Sequence, residues 1–145
     1  MAEDCVDHAI VLARLTERPC LTRDLHVHGF HRHAGEFGPL AGYGSDANGL
    51  RDIMRAEPGL APSLHDALPI CGAQVIWAAR HEMARTVDDV LARRTRALFL
   101  NVQAARAMAP AVARLLAHEL QRDEAWQQRQ LAEFERIADC FTVKP

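Results

Sequence analysis

Lysine is almost missing from this chain. Of 17 basic residues only Lys144 is lysine and the rest are arginine. With so much alanine, this suggests GC-rich coding rather than a functional arginine cluster. Positive excess is missing too, and a formal net charge of −2 argues against a dedicated nucleic-acid binder. No apolar run approaches the ~18 residues that would cross a bilayer. The opening, MAEDCVDHA, is acidic and has no basic stretch followed by an apolar one, so it does not read as a signal peptide. A cytoplasmic location and no direct membrane insertion are therefore expected. Cys5, Cys20, Cys71 and Cys140 lie far apart without a C-x-x-C pair, which fits neither a zinc site nor a redox motif. Buried reduced thiols are expected instead. There is no G-x-G-x-x-G, no Walker loop, no G-x-S-x-G and no cysteine–histidine dyad.

What is present is helical. The 145 residues, 49% apolar and 25% charged, have the size and balance of one globular domain. A chain of this length buries roughly 70% of its unfolded surface and needs no metal or disulfide for a core. Ala2, Cys5, Val6, Ala9, Ile10 and Ala13 recur at helical spacing, so residues 2–15 are predicted to form an amphipathic helix. Val11 and Leu12 widen its apolar face beyond what one packing surface needs. The helix begins without a capping residue, which points to a chain cut within it. Leu25 and Val27 alternate with His26 and His28 as in a short strand. Residues 29–44 are glycine-rich and read as a loop.

Ser45 or Asp46 should then cap a short helix that Pro58-Gly59 ends, and Pro62 to Pro69 should be a connector. Ala73 to Met83 should pack deeply, with Trp77 central. Thr86 and Asp89 have the spacing of a capping box, and Asp89 and Arg93 that of an i, i+4 ion pair. Asn101 should cap a short helix ended by Pro110, which then starts the next. Asp123 should cap a final helix whose stripe is Trp126, Leu131, Phe134, Ile137, Ala138 and Phe141. The fold class expected is mainly α: a bundle of five to seven helices behind a loop-rich N-terminal third.

Two groups of residues offer chemistry. His26, His28, His31 and His33 put four imidazoles within eight residues and could converge on a metal ion. Their flexible-looking loop, with only Asp24 and Glu36 nearby, favours adventitious surface histidines. Arg80, Arg85, Arg93, Arg94 and Arg96 could bind phosphate, or could simply pair with Glu82, Asp88 and Asp89. His81-Glu82 begins like a zincin motif, but Arg85 stands where a second histidine is needed. Met83 to Leu100 has the outline of a helix–turn–helix, disfavoured by the overall acidity.

Several blocks resemble the C-terminal part of FAD-dependent glycerol-3-phosphate dehydrogenases and the related α-glycerophosphate oxidases. The strongest is Cys71 to Asn101, CGAQVIWAARHEMARTVDDVLARRTRALFLN, similar to the family segment running from "HE-x-x-x-T" to "RRT". Gly42 to Arg51, GYGSDANGLR, resembles the family's YGSD helix start, and Gln121 to Phe141 its final amphipathic helix. Met1 to Leu15 is similar to the helix following the glycine–lysine–threonine segment near the flavin. The histidine-rich loop Gly29 to Leu40, Asp66 and Ile70-Cys71 depart from the family's pattern.

The resemblance implies a helical cap domain over residues 41–145. Residues 1–40 would be a terminal helix and histidine-rich loop leading towards a flavin domain. It also implies that the flavin fingerprint, the substrate-phosphate arginines and the active-site lysine belong to a part preceding Met1. No residue of this chain is therefore assigned as catalytic, cofactor-binding or metal-binding, and FAD belongs to the parent enzyme. That parent oxidises sn-glycerol 3-phosphate to dihydroxyacetone phosphate and would be peripheral at the inner face of the cell membrane. The partners implied are its flavin and substrate domains, with self-association of the bare apolar helix. Two other readings are a stand-alone helical module docking on a separate flavoprotein and a small metal- or nucleic-acid-binding regulator.

Overall fold

A computed structural model of the chain describes residues 1–142; Lys144 lies outside the described residues. The helices are α1 (Ala2–Ala13), α2 (Ala47–Ala56), α3 (Gly72–His81), α4 (Ala97–Leu100), α5 (Val102–Glu119) and α6 (Glu124–Asp139). A π-helix, Asp89–Arg94, lies between α3 and α4, and 3-10 turns occupy Ala34–Asp46 and Pro58–Leu60. The fold is mainly α, as the spacing of apolar residues predicts.

Local signals placed most helix starts correctly. Asn101 accepts from the Ala104 N–H at 3.0 Å and caps α5, and Asp123 accepts from the Trp126 N–H at 2.7 Å and caps α6. Each side chain satisfies an N–H that the first helical turn leaves without a carbonyl. Asp46 stands at the α2 N-cap but makes no capping bond, because its carboxylate takes the His28 ring at 2.8 Å instead. The α2 helix ends at Ala56, before Pro58-Gly59.

The core has two parts joined by α3, seven of whose ten residues are buried. One side, with Val75, Ala78 and Ala79, packs with Val87, Val90, Leu91, Leu98, Met108, Val112, Leu116 and Phe134. The other, with Ala73 and Ile76, packs with Phe37, Leu40, Ala47, Leu50 and Leu60. The α5 helix presents alanines 104, 105, 109, 113 and 117 to its neighbours. Their small side chains let the α3 and α6 backbones come close.

Five expectations are corrected. Pro110 lies inside α5 and does not end it; the Arg106 carbonyl, four residues back, loses its usual donor, and packing on both sides of the proline keeps the helix continuous. Leu25 to Val27 forms no strand, and neither apolar side chain finds a surface to cover it. The connector Pro62 to Pro69 instead contains strand β1 (Ser63–His65), antiparallel to β2 (Leu68–Cys71). Trp77 is half-buried rather than central, and Gly49 is where α2 passes its ring. Of the four cysteines only Cys71 is buried, while Cys5, Cys20 and Cys140 are exposed. The predicted final stripe holds at Phe134 and Ala138, which are buried, and at Trp126, Leu131 and Ile137, which pack against the core; its end, Phe141, runs into solvent.

The N-terminal third behaves differently. No residue of α1 is buried; Val11 is 75% and Leu12 85% exposed. Arg23 reaches back to Glu3 at 3.2 Å, folding residues 18–23 along the helix.

Candidate binding cleft

The arginine-rich segment is organised by the end of α3. Past His81 the chain turns through Met83, whose φ is 55°, and the Ala84 N–H bonds back to the Ala78 carbonyl at 2.9 Å. Such a left-handed stop leaves helix-end carbonyls in need of donors. Arg85 donates to the Ala79 and Ala84 carbonyls at 2.9 and 2.8 Å. Arg94 donates to the Glu82 carbonyl through Nε at 3.1 Å and Nη2 at 2.6 Å. Two of the five candidate phosphate-binding arginines therefore cap a helix.

Thr86 and Asp89 form the predicted box. The Asp89 N–H donates to the Thr86 hydroxyl at 3.0 Å, and the Thr86 N–H to the Asp89 carboxylate at 3.1 Å. The Arg85 N–H adds a third bond at 2.9 Å. Burial pushes the Asp89 carboxyl up, but hydrogen bonds from Arg85 and Thr86, with the Arg93 charge, outweigh it and hold it below its ordinary value. From here the chain winds as a π-helix, closed by the Thr95 N–H on the Val90 carbonyl at 2.9 Å. The wider turn swings Arg93 back to Asp88 at 2.8 Å and Asp89 at 3.7 Å.

Arg94 and Thr95 thereby reach one wall of a cleft of about 450 Å³. The opposite wall is Pro39, Gly42 and Tyr43 from the 3-10 segment, with Leu68, Pro69 and Ile70 from β2. Gln74, 6% exposed, is the one buried polar side chain among the described residues. Its carbonyl accepts from the Cys71 N–H at 2.9 Å and its amide donates to the Tyr43 hydroxyl at 3.3 Å. Burial raises the Tyr43 phenol to about 12. Burial also raises the Glu82 carboxyl, against the opposing pull of Arg94, whose Nε stands 3.7 Å away. Tyr43, Gln74 and Thr95 escaped the sequence reading. The signals available were the family-like YGSD and RRT segments, which hold Tyr43 and Thr95, and Gln74 itself, a lone amide on the buried face of α3.

The other candidates disperse. His28 pairs with Asp46, His26 stacks on Phe30 at 4.0 Å, and His31 sits edge-on to Phe37 at 4.9 Å. Among the described residues no three metal-ligating side chains come together. Arg80 makes a two-pronged pair with Glu119 at 2.6 and 2.9 Å, and Arg96 lies over the Phe99 ring. Met83 to Leu100 holds a π-helix and a four-residue α-helix, so the helix–turn–helix outline is not formed.

The chain is a small α-helical domain, and its sequence matches a known family. Residues 38–127 fit the model of the C-terminal domain of alpha-glycerophosphate oxidase, and the chain belongs to that family. Its relatives carry the name glycerol-3-phosphate dehydrogenase. The chain is 28% identical over 172 aligned positions to the mitochondrial enzyme of Arabidopsis thaliana, covering 97% of this chain and 27% of the relative. It is 32% identical to a probable mitochondrial one of Caenorhabditis elegans, covering 96% of this chain and 22% of the relative. It is 34% identical to glycerol-3-phosphate dehydrogenase 1 of Mycobacterium tuberculosis, covering 66% and 20% respectively. The chain thus spans only a fifth to about a quarter of the length of these relatives. No solved structure matches it.

Proposed function

We propose that this chain acts as the helical cap of an FAD-dependent glycerol-3-phosphate dehydrogenase, packing against flavin and substrate domains that carry the chemistry. The parent reaction would be oxidation of sn-glycerol 3-phosphate to dihydroxyacetone phosphate, in the cytoplasm or at the inner face of its membrane. The observation that carries this reading is the contrast across residue 38. The family match begins there, while the preceding α1 exposes Val6, Val11 and Leu12, with Leu15 just beyond it. Apolar surface of this extent on a small chain marks an interface. Its place before the matched domain fits a neighbour on the flavin side.

The test is to purify the chain alone and record absorbance, light scattering and binding of a hydrophobic dye. A colourless sample that self-associates or binds dye is expected, and Leu12→Glu should reduce both effects without unfolding α3 to α6. A flavin absorbance band would overturn the reading. So would a dye-silent monomer whose amides in residues 2–15 are strongly protected.

A further inference from the structure

We propose that the cleft between the 3-10 segment, β2 and the π-helix is a binding site for a small neutral polyol. Three polar side chains that line it keep hydrogen-bonding capacity. The Tyr43 hydroxyl oxygen accepts from Gln74, leaving its own proton for an acceptor in the cleft. Gln74, nine-tenths buried, has spent one amide N–H on Tyr43 and keeps the other. The Glu82 carboxylate is half-buried; Arg94 Nε at 3.7 Å and the Trp77 side chain lie beside it, but Arg94 spends Nε and Nη2 on the Glu82 carbonyl, so the two carboxylate oxygens keep lone pairs to offer. The site therefore offers two donors and one strong acceptor at the bottom of a cleft walled by Pro39, Leu68, Pro69 and Leu100.

A hydroxyl group is both donor and acceptor, so adjacent hydroxyls on a short carbon chain answer all three groups, while the C–H faces lie on the prolines and leucines. An anion suits the site less well. Arg93 is held by Asp88 and Asp89, Arg94 by Glu82, and a carboxylate already lines the cleft. The size, about 450 Å³, falls within the range of small-molecule pockets and admits a polyol of three to six carbons.

The test is an NMR titration of the full 145-residue chain with xylitol, with inorganic phosphate in a parallel arm. Saturable shifts at Tyr43, the Gln74 side-chain amide, Glu82 and Thr95 are expected in the millimolar range. Tyr43→Phe, which removes a hydrogen bond to the ligand, and Glu82→Gln, which replaces a charged acceptor by a neutral one, should each weaken binding about tenfold. Shifts that rise linearly and spread over the surface would overturn the assignment. So would tighter, saturable binding of phosphate at Arg93 and Arg94, or unchanged xylitol affinity in both folded variants. The wild-type titration decides the matter even if a variant fails to fold.

Discussion

The two ends of this chain use the same kind of residue to opposite effect. Leu116 in α5 and Leu12 in α1 both lie on apolar helix stripes, yet the first is fully buried and the second 85% exposed. The difference is not helix propensity, since both segments are rich in alanine and both form. It is the presence of a second surface. The α5 stripe meets α3, the π-helix and α6, whereas the side chains of α1 are left in water. A stripe states that a helix has a partner and leaves open whether the partner is in the same chain.

The contrast is sharpest at Phe134, 1% exposed against the α5 face. Phe134→Ala should cost roughly 3–5 kcal/mol in denaturant titrations, while Gln128→Ala, on the exposed side of α6, should stay within about 0.5 kcal/mol. Similar costs would mean that α6 packs on another face.

The join between the two regions comes next. Gly44 has a φ of 53°, and a Cβ there would overlap the Gly29 carbonyl, which now accepts from the Ser45 N–H at 2.9 Å. Gly44→Ala should cost roughly 1–3 kcal/mol, and amide exchange should quicken in residues 28–33 while α5 stays protected. Protection lost equally in α5 would show that the regions unfold as one.

Within the helical region, Thr86→Ala removes one half of the box before the π-helix and should cost about 1 kcal/mol. Thr86→Ser, which keeps the hydroxyl, should restore most of it. The smallest effect concerns pH. The native Glu82 carboxyl is raised, so the folded state holds this proton more tightly than the unfolded chain. Stability from this group is therefore greatest at low pH and is lost as pH rises from the ordinary glutamate value through the raised one. Glu82→Gln should remove that downward slope from a plot of stability against pH, and an unchanged plot would place the charge in solvent.

What the sequence made legible was local. Asn101, Asp123 and the Thr86–Asp89 pair act on backbone three residues away, so spacing alone found them. The hairpin was hidden because its strands are only three and four residues long and Pro69 sits within one of them. Pro110 misled because a proline's missing N–H is a local signal, while the packing that holds α5 together around it is not. The cleft was hidden for the same reason at larger scale. Tyr43, Gln74, Glu82 and Thr95 are spread over about a third of the chain, and no local spacing announces that they meet. The resemblance to the family located the domain, and its YGSD, HE-x-x-x-T and RRT segments hold Tyr43, Glu82 and Thr95, but it did not show that these residues meet.

The π-helix also fixes how this stretch can change length. Its wide turn amounts to one residue more than an α-helix would carry over the same rise. Winding the same residues as ordinary α-helix, with none removed, would rotate everything after them by about 100°. Arg94 would swing away from the Glu82 carbonyl and Thr95 out of the cleft wall. The wide turn thus takes up a surplus residue and keeps the side chains after it in phase, so a single deletion within it should be borne better than one in the middle of α5.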